Sequence, residues 1–244
     1  NSAAENRLTW IMSLVRVYPI HEKACTVQLE KPIGLDTFQA IEAIQETISK
    51  KYKKEISESI LSYNSATFFL HSAQQLEYCC EQFQLLASSL LKNLPAVEEK
   101  SKKIIRIPVC YHNIYAPDLS AISHQLQQSE AAIISLHSQR KYLVYTIGFV
   151  PGFPYMGEID AQLQLPRKKI PISRVAPGSV AIAGPQTGIY PIEVAGGWHI
   201  IGRTPWKLFD KTRERPCLLE AGDQVEFYQI TKEEFENWNE PYCT

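Results

Sequence analysis

The chain has 244 residues, 45% hydrophobic and 21% charged, long enough for one large or two modest cores and too apolar for a disordered segment. Lys and Arg number 25 against 26 Asp and Glu, so no uniform basic field draws it to nucleic acid. Its longest apolar runs, such as residues 131–136 and 180–183, fall far short of the ~20 needed to cross a bilayer, and a soluble protein is expected.

The opening stretch from Asn1 to Asn6 has neither the basic segment nor the apolar core of an export signal and reads as a trimmed start. Ile11 to Val17 and Cys25 to Leu29 are predicted strands. Asp36 with Gln39 three residues on resembles a capping box, opening a helix whose Ile41, Ile44 and Ile48 share a face and which ends near Tyr52. Ile56 to Tyr63 and Thr67 to His71 form a hairpin around Asn64-Ser65, and Leu76, Cys79, Cys80, Phe83, Leu86, Leu90 and Leu91 mark a second helix. This order predicts an α+β domain over residues 1–94, an antiparallel sheet with helices on one face. Residues 95–103, polar and without apolar periodicity, are the expected linker.

Residues 104–244 follow another grammar. Ten of the eleven glycines and nine of the fifteen prolines fall between Gly148 and Gly222, which breaks that stretch into short strands. A strand from Ile104 to Tyr111 and helices opening at Pro117-Asp118 and Ser129 come first. Tyr142 to Phe149, Ser179 to Ala183, Tyr190 to Val194, His199 to Gly202 and Gln224 to Ile230 then read as strands of a closed or nearly closed β-barrel.

The six cysteines show no Cys-x-x-Cys spacing, and free thiols in a reducing cytoplasm are expected. No phosphate loop, dinucleotide fingerprint, nucleophile elbow or metal helix is present, and the scattered histidines predict no metal site. Four loops stand out. Gly148-Phe-Val-Pro-Gly-Phe-Pro-Tyr-Met-Gly157 joins rigid turns to three aromatic rings. Pro166-Arg-Lys-Lys-Ile-Pro-Ile-Ser-Arg174 carries four cations, among them Arg167 and Arg174, which suit an anion site or a solvated face. Gly184-Pro-Gln-Thr-Gly-Ile-Tyr-Pro191 offers Gln186, Thr187 and Tyr190, placed to orient an amide or to satisfy their own turn. In Gly196-Gly-Trp-His-Ile-Ile-Gly-Arg-Thr-Pro205, Arg203 stands alone between stiff backbone segments, a geometry that suits carboxylate or phosphate, or an internal pair with Asp210.

These stretches, with Leu208-Phe-Asp210, Ile107-Pro-Val-Cys-Tyr111 and Pro117-Asp-Leu119, resemble the family of 5-oxoprolinase B subunits, also called the KipI or allophanate hydrolase subunit 1-like family, over nearly the whole chain. The resemblance implies a small α+β domain followed by a cyclophilin-like barrel. It implies an ATP-dependent 5-oxoprolinase, opening 5-oxoproline to glutamate, in which the A and C subunits are partners and this chain alone is inactive. A KipI-type inhibitor of a sensor histidine kinase, or a subunit acting on urea-derived amides, are the other functions found on this scaffold. For the enzyme, Arg203, Arg174 and Arg167 are expected to contact phosphate or carboxylate, Gln186, Thr187 and Tyr190 to orient the lactam, and His137 to carry a proton, unless it is merely an imidazolium at a helix end.

Overall fold

In the computed structural model, residues 14–93 and 104–239 are described, and the chain divides into two compact units, 1–101 and 102–244. The expected linker, the start of the first predicted strand and Cys243 lie outside the described residues.

The first unit is a four-stranded antiparallel sheet in the order β1-β2-β4-β3, from β1 (Val15–His21), β2 (Ala24–Leu29), β3 (Ile56–Ser62) and β4 (Ser65–Leu70). Helices α1 (Leu35–Lys51) and α2 (Leu76–Asn93) pack on it. Cys25, Val27 and Leu29 of β2, two apart and so on one face, join Ile41, Ile44 and Ile48 of α1 and Cys79, Phe83 and Ala87 of α2 in one core. The helix expected from the isoleucine spacing is present, but its start differs. Gly34 is the N-cap and no side chain caps it; Asp36 sits in the first turn, and the Thr37 hydroxyl donates to Pro32 O at 2.7 Å. The hairpin turn falls one residue earlier than expected, with Tyr63 at φ 47°.

The second unit is the expected closed barrel. Its seven strands are β5 (Ile104–Cys110), β6 (Lys141–Ile147), β7 (Pro154–Gly157), β9 (Ser179–Ala183), β10 (Gln186–Ile189), β12 (His199–Arg203) and β13 (Gln224–Ile230), in the order β10-β7-β6-β13-β5-β12-β9. All neighbours run antiparallel except β5 and β13, which are parallel from Ile104↔Gln224 to Cys110↔Ile230. Strands β8 (Ile172–Val175) and β11 (Val194–Gly196) form a separate pair. The stretch Tyr190 to Val194, expected as a strand, is not one; the pairing strand is β10 just before it.

Alternation explains why β9 is buried throughout. Val180 and Ile182 face the barrel interior with Ile107, Val144, Met156 and Phe227, while Ala181 and Ala183 join an outer cluster of Phe153, Tyr190, Trp198 and Ile200. Helices α3 (Leu119–Leu126) and α4 (Glu130–Ser138) contribute Leu119, Ile122 and Ile133 to the interior core. The α4 N-cap is Ser129, as expected, its hydroxyl accepting from Ala132 N at 3.1 Å. A one-turn helix α5 (Lys232–Glu236) follows β13.

Candidate functional site

The residues singled out in the sequence fall in several places of the second unit. His137, on the last turn of α4, is fully buried inside the barrel. Its Nε2 lies 2.9 Å from Thr187 Oγ1 and its Nδ1 2.8 Å from the Tyr111 hydroxyl. Thr187 donates its single hydroxyl hydrogen to Ala181 O at 3.1 Å, so Nε2 carries the ring proton and Nδ1 accepts from Tyr111. Phe227 stacks on the ring at 4.7 Å, and the Tyr142 hydroxyl donates to His137 O at 2.7 Å. Burial pushes the imidazole down to about 3 and raises the Tyr111 and Tyr142 phenols. His137 is therefore a neutral imidazole with both nitrogens taken, neither the expected proton carrier nor an imidazolium at a helix end.

Thr187 and Tyr190 are likewise spent inside the fold. Thr187 belongs to that interior network, and the Tyr190 hydroxyl accepts from the Trp198 backbone N–H while its ring packs on Phe153 at 5.1 Å. The expected lactam-orienting turn is in fact strand β10, where Thr187 and Gly188 pair with Met156 and Tyr155; Gln186, half-buried at its start, pairs with Gly157. Gly196 has no room for a Cβ, because the Tyr190 phenol occupies that space.

Around this outer aromatic cluster lie the cationic loops. Arg167 is exposed, and its charge acts on Tyr155 and Tyr190. Arg174, on β8, is exposed and 3.7 Å from Glu193. Lys168 is drawn inward to Asp118 Oδ1 at 2.6 Å, and His199 Nε2 meets Pro166 O at 2.9 Å. The aromatic loop holds Phe149 at φ 66° in a tight turn closed by Val150 N–H donating to Gly148 O at 2.8 Å, leaving the residue 59% exposed.

Arg203 ends β12 beside a cavity of about 430 Å³. The turn that seats it depends on Gly178, at φ 81°, whose N–H donates to Tyr190 O at 2.7 Å and whose carbonyl accepts from Thr204 N at 2.9 Å. That turn offers Pro177 O to Arg203 Nε at 2.8 Å. The internal partner considered for Arg203 is engaged elsewhere: Asp210 takes Lys207 Nζ at 2.9 Å and the Thr212 hydroxyl at 2.7 Å, contacts that hold its carboxyl well below the usual range. Tyr115, Phe235 and Trp238, which no sequence pattern singled out, wall the same cavity with Trp206 and Lys207. Among the described residues no cluster of His, Cys, Asp or Glu is arranged to hold a metal, and no helix is long and apolar enough to cross a membrane.

A closed seven-stranded barrel following a four-stranded α+β unit, with glycine-rich loops at these positions, defines a class that the comparisons identify. The chain belongs to the family described as carboxyltransferase domain, subdomain C and D, whose profile matches residues 15–219. It is similar to the B subunit of 5-oxoprolinase from Escherichia coli O157:H7, 36% identical over 217 residues that make up 88% of this chain and 96% of that protein. Among solved structures it is similar to TTHA0988, with a TM-score of 0.71 and 29% identity, covering 91% of this chain but only 41% of that one. The Kluyveromyces lactis urea amidolyase, at 18% identity, 91% coverage of this chain and 15% of its own, and a TM-score of 0.66, shares the fold.

Proposed function

We propose that this chain is the B subunit of an ATP-dependent 5-oxoprolinase that opens 5-oxoproline to L-glutamate in the cytoplasm, together with A and C subunits as partners. The observation that carries this reading is the 36% identity to the Escherichia coli 5-oxoprolinase B subunit along 96% of that protein.

Opening an unstrained lactam is slow because amide resonance must be lost before water can add. ATP supplies the activation by phosphorylating the amide oxygen, and the resulting anionic centre needs fixed cations and N–H donors. A triphosphate calls for several such groups converging on one place. Of Arg167, Arg174 and Arg203, only Arg203 lines the cavity, which supports assigning ATP to another subunit. The share of this chain is then binding and orientation. Arg203 at the cavity, and Gln186, Arg167 and Arg174 elsewhere on the second unit, supply the polar contacts to substrate or partner. His137 is enclosed and neutral and supplies none.

Reconstitution tests this reading. With 5-oxoproline and ATP, glutamate is expected only when this chain is mixed with the A and C subunits. Glutamate release by the single chain, or none by the complete mixture, would overturn it.

A further inference from the structure

The cavity beside β12 is lined by charged and polar groups together with aromatic rings. Of its two cations, Lys207 is met within the protein by Asp210. Among the described residues no carboxylate pairs with Arg203. Glu236, next to Phe235 in the chain, accepts from the Tyr115 hydroxyl at 3.2 Å and lies 3.7 Å from Lys232. Donation from Arg203 Nε to Pro177 O restrains the guanidinium and leaves its two terminal nitrogens for a guest, the edge that takes a carboxylate in a two-pronged bond. Tyr115 and Phe235 pack with ring centroids 4.2 Å apart, and with Trp238 they give the lining three aromatic rings. A small hydrated inorganic anion would use the cation and leave the rings without a partner. An organic acid with an apolar ring uses both.

We propose that this cavity is a binding site for a small ring-bodied carboxylate, Arg203 taking the carboxylate and Tyr115, Phe235 and Trp238 enclosing the ring. The choice of 5-oxoproline as its ligand rests on the function proposed above; the site itself rests on the geometry of the cavity. The C-terminal helix α5 thereby becomes part of a ligand site, through Phe235.

The test uses the full chain by itself, titrated with 5-oxoproline and followed by tryptophan fluorescence, since Trp206 and Trp238 both line the cavity, and by calorimetry. Saturable binding is expected. 2-Pyrrolidinone, the same ring without the carboxylate, and acetate, a carboxylate without the ring, should each bind at least about tenfold more weakly. Arg203→Lys should weaken 5-oxoproline by about tenfold or more with an unchanged melting curve, because lysine offers a point charge where the guanidinium offers a fork. Trp238→Ala should narrow the margin of 5-oxoproline over acetate. Absence of saturable binding, equal affinity for the three probes, or unchanged affinity in a folded Arg203→Lys chain would overturn the proposal. The three-probe comparison on the wild-type chain decides the matter even if a variant fails to fold. A reconstituted complex that releases glutamate while the single chain binds none of the probes sinks this inference and leaves the proposed function standing. Selective binding beside an inactive complete mixture does the reverse.

Discussion

Asp118 and Lys168, fifty residues apart, meet at 2.6 Å with each side chain less than a fifth exposed. The second carboxylate oxygen of Asp118 accepts from Ile200 N at 2.6 Å, and the Asp118 N–H donates to Ile200 O at 3.1 Å. An aspartate at the N-cap position of a helix normally turns its side chain back to that helix. Here it ties β12 and the 166–171 loop together instead, while Lys168 N–H donates to Gly197 O at 2.8 Å.

Removing the charge of Asp118 should therefore loosen a loop distant in sequence. Asp118→Asn is expected to cost roughly 1–3 kcal/mol, below the range for fully buried pairs because water still reaches this one. Urea unfolding gives the energy, and faster amide exchange at Lys168 gives the location. A destabilised variant with unchanged exchange at Lys168 would show that the carboxylate serves only β12.

The enclosed imidazole of His137 makes stability depend on pH. In the folded chain it takes a proton only near pH 3, whereas the unfolded chain takes it at the ordinary 6.5. Between those values the unfolded state binds the extra proton, so stability is lost as pH falls from about 6.5 towards 3, by on the order of 5 kcal/mol from this group. Tyr111 and Tyr142, which face the ring, stay protonated throughout. His137→Gln, which can donate and accept but does not titrate here, should flatten this part of the pH–stability curve; equal slopes for wild type and variant would refute it.

Phe149 is held in a three-residue turn of the strained left-handed kind. Glycine adopts that conformation freely and a β-branched residue scarcely at all. Phe149→Gly is expected to melt at or above the wild-type temperature, and Phe149→Val to be less stable than Phe149→Gly by about 1 kcal/mol or more. Thermal unfolding of both variants measures the difference directly.

At Gly196, alanine would drive its Cβ into the Tyr190 phenol. A loss of about 1–3 kcal/mol is expected from this overpacking. Shortening the obstructing ring in Gly196→Ala/Tyr190→Leu should recover part of it relative to Tyr190→Leu alone, a coupling that a double-mutant cycle reads out.

Much of the architecture was legible where periodicity is strong. Ile41, Ile44 and Ile48 announced the buried face of α1, and Ser129 the start of α4, because the same residues that satisfy the local rule also make the tertiary contact. Strand β10 was not legible. Gln186-Thr187-Gly188-Ile189 carries no alternation, since both of its faces are covered, and Gly188 is there because Phe153 lies against it. His137 and Thr187 drew notice as reactive groups, and nothing in sequence shows that they bond to one another across fifty positions. For the cavity only Arg203 stood out; Tyr115 and Phe235 come from a loop and a terminal helix that the barrel brings together.

The parallel pairing of β5 with β13 joins the first and last barrel strands of the second unit. During vectorial synthesis on a ribosome, β5 and β6 emerge more than seventy residues before β13, the strand that sits between them. Until residue 230 has cleared the exit tunnel the nascent sheet has two unpaired edges lined with Ile107, Val109 and Val144, a template for mispairing with other chains. The interval between translating β6 and translating β13 is thus the time over which those two edges stay open to other chains, and slow codons in that stretch would lengthen it.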